Sequence, residues 1–481
     1  MRKLLFAAVT IALLGATAAA ADELLTEDLS HATHKQPGNT AVAYPLAENV
    51  ARVGGDNTST GGHVVVEGNR LYVGAYGLGM RFFDISDPEK PRLIGQYTPG
   101  VRADAVPDAI DFGERNFAVL NGTSRVGVDD RVRTQRSEFL DVTKPADPKL
   151  LAHFIGATDG EAHNGDIVDE RRRWLPSGGS GANGLRIYDL TPTLTTSPDR
   201  CAPAPAENGG DKSDGSGNPC APRKIYGSKP ATSTDPVGEG NPVLLWQSSP
   251  YRDGRPVGAP FTHTHDVTVY VDHPVRQPDG TVAARDIALL AEGGSYLNDA
   301  GNTGSVFVID ITDPREPVVL NRWLHERGPA HHPIRYHHEA QFLDGDPSVM
   351  LVTDEDLHNG CGDAGGAVAL RVSDDLTRVT EELSEWFIPA DTLAPVCSVH
   401  VFSSKGALVF FGSYNAGLQV VDYSEPDQPK QAGYYIAPGT TAWGALYHDG
   451  LIYAGDMSRG LDVYELDDEL LLKLKLKKLL K

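Results

Sequence analysis

Five histidines open short strand-like segments along this chain, and neutral imidazole is the side chain that transition metals bind most often in proteins. They are His63, His163, His265, His338 and His400. Eight residues separate His63 from Leu71, and eight separate His400 from Leu408. This spacing predicts that the histidines hold one position in a repeated unit.

Two further segments keep the same spacing without a histidine. They run from Asp108 to Asn116 and from Trp443 to Leu451, which brings the number of repeats to seven. In a closed ring of seven equivalent strands, equivalent positions converge on the central axis. Five imidazoles at one height around a narrow channel indicate a metal site.

The alternative for a single histidine is a strand residue with ordinary hydrogen bonds, and for one residue that alternative is preferred. Five protonated rings in one channel would repel one another, and five neutral rings would each need a donor and an acceptor. A bound metal removes both problems. His263, two residues before His265, points to the same side, and Asp108 is either a carboxylate ligand or a partner that orients an imidazole. Trp443 closes the last position.

An apolar strand that ends in Asp and a turn with Pro recurs along the chain. Examples are FFDISDPEKP from Phe82, FLDVTKPADP from Phe139, IYDLTPT from Ile187, VIDITDPREP from Val308 and VVDYSEPDQP from Val420. Each unit is predicted to hold four strands, A to D, with the histidine in A and the Asp at the end of C. A four-stranded repeat of this length is typical of a propeller blade.

The last repeat lacks its fourth strand, because LDVYEL at 461–466 is not followed by an Asp-Pro turn. A spare strand, NVARVGG from Asn49, precedes the first repeat. Pairing between the two would close the ring and remove exposed sheet edges. The sequence therefore predicts an all-β, seven-bladed β-propeller over 49–466, closed by an N-terminal strand and carrying an insert at 191–241 in blade 3.

These turns resemble the LVIVD-repeat family of bacterial β-propellers. The resemblance is carried by the hydrophobic-hydrophobic-Asp pattern at Asp84, Asp141, Asp310 and Asp422 and by the Gly-x-Tyr strand ends before it. It implies the propeller fold and no particular activity, because the family is defined by its repeat. Blades 3 and 5 depart from the pattern.

The termini indicate export. Residues 1–21 combine Arg2 and Lys3 with an apolar stretch and small residues, as a secretory signal peptide does, with cleavage expected before Asp22. An extension at 22–48 follows. The expected location is periplasmic or secreted, in a bacterium, without a transmembrane anchor. The tail at 467–481 is cationic and amphipathic; it is either a membrane-surface contact or a flexible end.

The chain is acidic, with 43 Lys and Arg against 65 Asp and Glu, a net charge of −22. This balance argues against a nucleic-acid partner. The expected partner is a small-molecule substrate or an extracytoplasmic protein.

Four cysteines suit two disulfides in an exported protein. Cys201 and Cys220 flank a loop rich in Gly, Pro, Ser and Asp. Cys361 and Cys397 fall in loops that leave a propeller on one face, so these two are expected to pair. The rival interpretation makes Cys361 or Cys397 a thiolate ligand of the metal.

All-imidazole ligation suits copper, zinc or iron. Copper is favoured, because two of three propeller groups with axial histidines to which this site is similar in logic use it, those of the nitrous oxide reductase and methanethiol oxidase types; the third, the carotenoid oxygenases, uses iron. Two functions stay open. One is a metal-dependent (copper or iron) oxidoreductase acting on a small molecule; the other is a non-catalytic binding scaffold. The sequence singles out no catalytic residue.

Overall fold

A computed structural model of the 481-residue chain describes most of the region predicted to form the propeller. The described residues are 44–75, 78–98, 106–121, 123–125, 133–155, 164–177, 185–195, 243–247, 251–252, 255–256, 264–293, 304–324, 336–356, 361–362, 365–392 and 394–472.

Antiparallel sheets of four strands recur seven times, which confirms the predicted seven-bladed propeller. Two strands precede the first blade, β1 (Leu46–Glu48) and β2 (Val50–Asp56). Blade 1 contains β3 (Val64–Glu67), β4 (Arg70–Ala75), β5 (Gly79–Asp84) and β6 (Arg92–Tyr97). Blade 2 contains β7 (Val106–Phe112), β8 (Arg115–Asn121), β10 (Arg133–Asp141) and β11 (Lys149–Ile155), with the short β9 (Thr123–Arg125) paired to β10.

Blades 3 and 4 come next, and blade 3 carries two helical elements in addition to its strands. Blade 3 contains β12 (Asn164–Val168), β13 (Arg173–Ser177), β14 (Arg186–Asp189) and β15 (Val243–Gln247). A 3-10 turn (Asp169–Arg171) and a short helix α1 (Thr191–Thr195) belong to this blade, and β16 (Tyr251–Arg252) pairs with β17 (Arg255–Pro256) after it. Blade 4 contains β18 (Thr264–Arg276), β19 (Val282–Glu292), β20 (Ser305–Asp310) and β21 (Val318–Leu324).

The last three blades complete the ring. Blade 5 contains β22 (His337–Leu343), β23 (Asp346–Asp354), β24 (Ala367–Val372) and β25 (Val379–Trp386). Blade 6 contains β26 (Phe402–Lys405), β27 (Leu408–Gly412), β28 (Leu418–Asp422) and β29 (Lys430–Ile436). Blade 7 contains β30 (Ala442–His448), β31 (Leu451–Asp456), β32 (Gly460–Leu466) and the N-terminal β2.

In five of the seven blades the third strand ends in an Asp that shapes the turn after it. In every case an oxygen of the Asp side chain accepts the backbone N–H of the residue two positions later, at 2.9 Å, as in the pair of Asp84 and Ser86. The same bond occurs at Asp141, Asp189, Asp310 and Asp422. A short polar side chain that caps its own turn explains why this residue type recurs there.

The hydrophobic core lies between the blades. Along β23, Met350 and Val352 pack with blade 4, whereas Val349 and Leu351 pack with blade 6. Successive side chains of a strand point to opposite faces. A strand such as β23, which is buried on both faces, is therefore expected to be apolar along its length. This explains the continuous apolar runs of the second strands.

Hydrogen bonds from side chains also join the innermost strands of neighbouring blades. In each of these bonds, a polar side chain of one blade accepts a backbone N–H group of the next blade, as Glu339 accepts from Phe402 at 3.1 Å. The other acceptors and donors are Asp108 with Ile167, Asp166 with Val269, Tyr270 with Phe342, and Ser403 with Tyr447. These bonds fix the positions of the inner strands around the axis.

One N-terminal strand closes the ring, as predicted, and a second one, not predicted, joins blade 6. β2 pairs with β32 from Val50 opposite Leu466 to Asp56 opposite Leu461. β1 adds a fifth strand to blade 6 by pairing with β29. The first described segment therefore bridges blades 6 and 7. No helix among the described residues is long and apolar enough to cross a membrane.

A buried ion pair secures this closure. Asp462 in β32 is 0% exposed, and its carboxylate accepts hydrogen bonds from Arg52 of β2 at 2.5 Å and from Arg459 at 2.9 Å. Burial alone would raise the pKa of Asp462, but the hydrogen bonds and charges of the two arginines outweigh it and hold the pKa below its usual 3.8.

We expect Asp462→Asn to lower the free energy of unfolding by about 2 kcal/mol, because it leaves two partly buried guanidinium groups without their carboxylate. A group whose pKa is lowered by folding contributes stability above its unfolded pKa and loses it as the pH falls. The difference between wild type and variant should therefore shrink below about pH 4. Urea unfolding at pH 7 and pH 3 measures both effects. The control is Asp87→Asn, which removes an exposed partner of Lys90 and should change little; an equal loss in both variants would contradict the closure argument.

Candidate metal centre

A β-bulge recurs where the innermost strand of a blade begins, and it positions three of the predicted histidines. In blade 4, His265 and Asp266 together lie opposite the single residue Ala291. In blade 5 the paired residues are His338 and Glu339 opposite Thr353, and in blade 6 they are His400 and Val401 opposite Gly412. Bulges interrupt side-chain alternation and redirect side chains. In each of these blades the histidine is the first of the two bulged residues.

The three rings lie side by side. The centroids of His265 and His338 are 4.2 Å apart, and those of His338 and His400 are 4.0 Å apart. All three side chains are at most 1% exposed. The structure thus brings His265, His338 and His400 together in one buried arc.

Backbone carbonyls set the tautomer of two of the rings. Nδ1 of His265 lies 3.2 Å from the carbonyl oxygen of His338, and Nδ1 of His400 lies 2.8 Å from that of Trp443. A carbonyl oxygen only accepts hydrogen bonds, so in both rings Nδ1 carries the proton. In the neutral form, Nε2 then holds the lone pair, which is the arrangement found in metal-ligating histidines.

Glu355 adds a carboxylate to the arc. It follows β23 in a run of three acidic residues, and its oxygens lie 3.9 Å from Nε2 of His338 and 3.6 Å from Nε2 of His400. The side chain of Glu355 is 5% exposed. Burial raises the pKa of Glu355 to about 8, although a hydrogen bond donated by Tyr414 acts in the opposite direction.

Tyr414 is held in an unusual conformation. Its φ of 43° lies in the left-handed region, where residues other than glycine are uncommon. Two backbone hydrogen bonds with Ala442 fix it there, and its ring centroid is 5.0 Å from that of His400. A strained residue that is held by its surroundings and bonded to a buried carboxylate is a candidate for a functional role.

Potential ligand atoms meet in two groups among the described residues. One comprises His338, Glu355 and His400, and the other comprises His265, Asp266 and His338. Within each group the atoms lie within 4.8 Å of one another. His338 belongs to both groups.

Apolar side chains wall the arc on the side of blade 7. The ring of Trp443 lies 4.8 Å from that of His400, and Trp443 packs in a buried cluster with Val106, Val401 and Met457. Trp443 occupies the bulge of blade 7, between Ala442 opposite Asp456 and Gly444 opposite Gly455. It therefore stands at the position that histidine fills in blades 4 to 6.

His63 and Asp108 take other positions. His63 lies directly before Val64, which pairs with Val73, and its carbonyl accepts the N–H of Gly74. The equivalent residue of blade 6 is Val401, one position after the histidine, because the N–H of Gly412 bonds to the carbonyl of Val401. Burial lowers the pKa of His63 to about 4, despite a hydrogen bond to the backbone of Pro107. The ring is therefore neutral at pH 7.

Asp108 lies inside β7, paired with Val119, and not at the start of the strand. Its carboxylate oxygens accept the backbone N–H groups of Ala109 and Ile167 at 2.8 and 2.5 Å. Burial, together with the charge of Asp166, raises its pKa well above the usual value. Neither His63 nor Asp108 belongs to the two groups of ligand atoms that the described residues form. His163 and His263 lie outside the described residues.

A disulfide borders the centre. Cys361 and Cys397 are joined, so neither sulfur is a free thiolate in the described protein. A hydrogen bond also joins the segments next to Glu355 and His400, since the hydroxyl of Ser398 donates to the carbonyl of Asp354 at 3.2 Å. The predicted partners Cys201 and Cys220 lie outside the described residues.

Sequence reasoning did not assign Glu355 as a ligand. The contact with the histidines depends on where the loop after β23 turns. The run of three acidic residues directly after an apolar strand was the available signal, since charged residues are almost never fully buried unless they are paired or bind a metal.

Residues 61–99, which span blade 1, match the family model of the LVIVD repeat. Solved structures with a similar arrangement include a computationally designed protein, Ika8, at 9% identity, TM-score 0.41, and 86% of this chain and 100% of that chain covered. The WD40 β-propeller domain of Doa1 is similar at 8% identity, TM-score 0.45, with 87% and 98% covered. The β-propeller domain of Myceliophteria thermophila Cps50 (Swd1) is similar at 9% identity, TM-score 0.48, with 85% and 98% covered. No curated protein matched the chain.

We expect peptide mapping without reductant to recover Cys361 and Cys397 in one linked peptide. Their sequence separation is 36 residues, and a cross-link over a loop of that length stabilises a protein by about 4 kcal/mol in the chain-entropy description. Cys397→Ser should lower the free energy of unfolding by up to about that amount. Adding reductant to the variant should not lower its stability further through Cys361. Alkylation of both cysteines in the native, unreduced protein would contradict the assignment.

Proposed function

We infer that this propeller binds a transition-metal ion at His338, His400 and Glu355. The observation that carries the proposal is the approach of two imidazole Nε2 atoms to one buried carboxylate, at 3.9 and 3.6 Å. A tetrahedral ion with bonds of about 2.1 Å holds its ligand atoms about 3.4 Å apart. The carboxylate therefore needs to approach each imidazole by only a few tenths of an ångström to share one ion with it.

The electrostatics of the centre support the same proposal. A carboxylate and several imidazoles buried together, far from water, are a costly arrangement without a cation. A metal ion would offset the charge of Glu355 and accept the lone pairs of the rings. The hydrogen bond from Tyr414 would then orient the ligating carboxylate from behind.

The donor set bears on the identity of the metal. An all-imidazole set favoured copper, whereas two imidazoles with a carboxylate suit iron or zinc as well. Three protein ligands leave at least one position open for a substrate or water, which is typical of a catalytic centre and not of a structural one. We therefore propose a metal-dependent oxidoreductase that acts on a small molecule.

We also propose that the protein works in an oxidising compartment outside the cytoplasm. The pairing of Cys361 with Cys397 suits an oxidising environment. Together with the signal-like residues 1–21 it supports export of the protein.

We expect the double variant His338→Ala, His400→Ala to lose metal uptake, and the single variant Glu355→Gln to bind less metal than wild type because the ion at this position loses a ligand. The matched control is His273→Ala, which removes a buried histidine of β18 that stacks on Phe342, at 4.8 Å between centroids, on the other end of the strand from His265. The measurement is metal content by mass spectrometry after equilibrium dialysis against Zn²⁺, Cu²⁺ or Fe²⁺ under anaerobic conditions. Circular dichroism confirms that each variant is folded.

Wild-type protein that binds none of these ions, or a Glu355→Gln protein that binds them as wild type does, would refute the proposed centre. Redox turnover of the loaded protein that a chelator abolishes supports the oxidoreductase. Metal binding without turnover on any donor or acceptor would favour the non-catalytic scaffold.

We expect Tyr414→Phe to weaken metal binding about 10-fold, within the range that loss of an outer hydrogen-bond partner produces. The phenyl ring keeps the packing against His400 and removes only the donor to Glu355. Tyr423→Phe is the control, because Tyr423 is equally buried in the same blade and is not bonded to Glu355. Competition titration with a chromophoric chelator gives both affinities; equal affinities for the two variants would show that Tyr414 does not position the carboxylate.

A further inference from the structure

We propose a second cation position in the same channel, formed by His265 and Asp266 of blade 4 together with His338 of blade 5. It would take a divalent transition-metal ion and make the centre dinuclear. The proposal rests on the proposed function, since His338 is shared with the first position. The observation behind it is that ligand atoms of His265, Asp266 and His338 all lie within 4.8 Å of one another.

The bulge of blade 4 brings two consecutive side chains to one place. In a regular strand, His265 and Asp266 would point to opposite faces. Because both lie opposite Ala291, the alternation is interrupted, and the ligand atoms of both approach His338. The corresponding second residue is Val401 in blade 6 and Gly444 in blade 7. Neither has a metal-binding side chain. In blade 5 the second residue is Glu339, and its carboxylate accepts the backbone N–H of Phe402 in blade 6.

The hydrogen bonds around Asp266 differ from those of its acidic neighbours. Asp166 and Glu339 accept a backbone N–H from the next blade, at 2.6 and 3.1 Å, and thereby join the inner strands. Asp266 accepts the N–H of Val267 within its own strand, at 3.0 Å. Its contact is local, so the carboxylate has no structural duty between the blades among the described contacts.

Several carboxyl groups lie close together around this position. Burial raises the pKa of Asp266 to about 8, and the charge of Asp166 adds to that effect. Burial and then the charge of Asp266 raise the pKa of Glu339 as well. Crowding of acidic groups favours their neutral, protonated form, and a divalent cation beside Asp266 would favour the ionised carboxylate that binds it.

His265 is prepared for the same ion. Its Nδ1 proton is directed to the carbonyl of His338, so in the neutral ring the lone pair is on Nε2. The ring of His338 lies between those of His265 and His400, at 4.2 and 4.0 Å between centroids. An imidazole has nitrogens on two edges, and His338 serves two ions at once if its remaining N–H proton is released to solvent.

The test is the number of ions bound per chain. Full-length protein is dialysed to equilibrium against Cu²⁺ and, separately, Zn²⁺, and metal content is measured by mass spectrometry. We expect two ions per wild-type chain and one per Asp266→Asn chain. Asp166→Asn is the matched control, a buried carboxylate of the neighbouring blade outside both groups of ligands, and it should retain two. Electron paramagnetic resonance of the Cu²⁺ form should show loss of signal by spin coupling in wild type, and a full one-copper signal in Asp266→Asn.

One ion in wild type overturns the second position and leaves the first intact. Two ions in Asp266→Asn also overturn it, because the position would not need that carboxylate. No ion in wild type overturns the proposed function itself. The failure of the further inference is therefore distinguishable from the failure of the proposal on which it rests.

Discussion

Seven inner strands share one axis, and the small volume where they begin must be filled by side chains at equivalent positions. This geometric constraint governs the rest of the molecule. Once β2 pairs with β32, the ring has a fixed circumference, and no blade can move outward without breaking its contacts with two neighbours. The side chains of His265, His338 and His400 at the start of the inner strands are cut off from solvent. They must therefore find partners within the channel.

The chain meets that requirement in two ways. Carboxylates and hydroxyls a few residues along the strand, such as Glu339 and Ser403, accept backbone N–H groups of the next blade. These contacts satisfy buried polar atoms and hold the register between blades. Imidazoles at the bulge instead donate to carbonyl groups of the next blade, as His265 and His400 do. Nε2, on the opposite edge of each ring, is not used in these bonds. Its lone pair is the physical basis for proposing a metal centre at this place.

The elements around the centre are held from outside the channel as well. The disulfide between Cys361 and Cys397 and the bond from Ser398 to the carbonyl of Asp354 connect the loops of blades 5 and 6. Tyr414, locked in its positive-φ conformation, bonds to Glu355 from blade 6. The carboxylate is therefore restrained from two blades at once. A ligand whose position is fixed before the ion arrives loses little conformational freedom on binding, and this raises affinity.

The amino-acid sequence by itself determined the repeat, the number of blades and the way the ring closes. Each of these depends on local chemistry: an Asp that caps its own turn, apolar runs of strand length, and a strand missing at one end and spare at the other. It also identified His265, His338 and His400 as neighbours, because a repeat places equivalent residues around one axis.

Only the tertiary structure decided the finer register. Eight residues separate His63 from Leu71 and His400 from Leu408 alike, yet the two leucines are not equivalent. The second strand starts opposite Glu67 at Arg70 in blade 1 and opposite Lys405 at Leu408 in blade 6, so His63 corresponds to Val401, and spacing along the chain does not reveal this register. Asp108 was equivalent in spacing but lies deeper in a longer hairpin, where its carboxylate joins two blades. Glu355 reaches the histidines through a loop whose path depends on packing between blades 5 and 6, and no periodic pattern in the sequence encodes that contact.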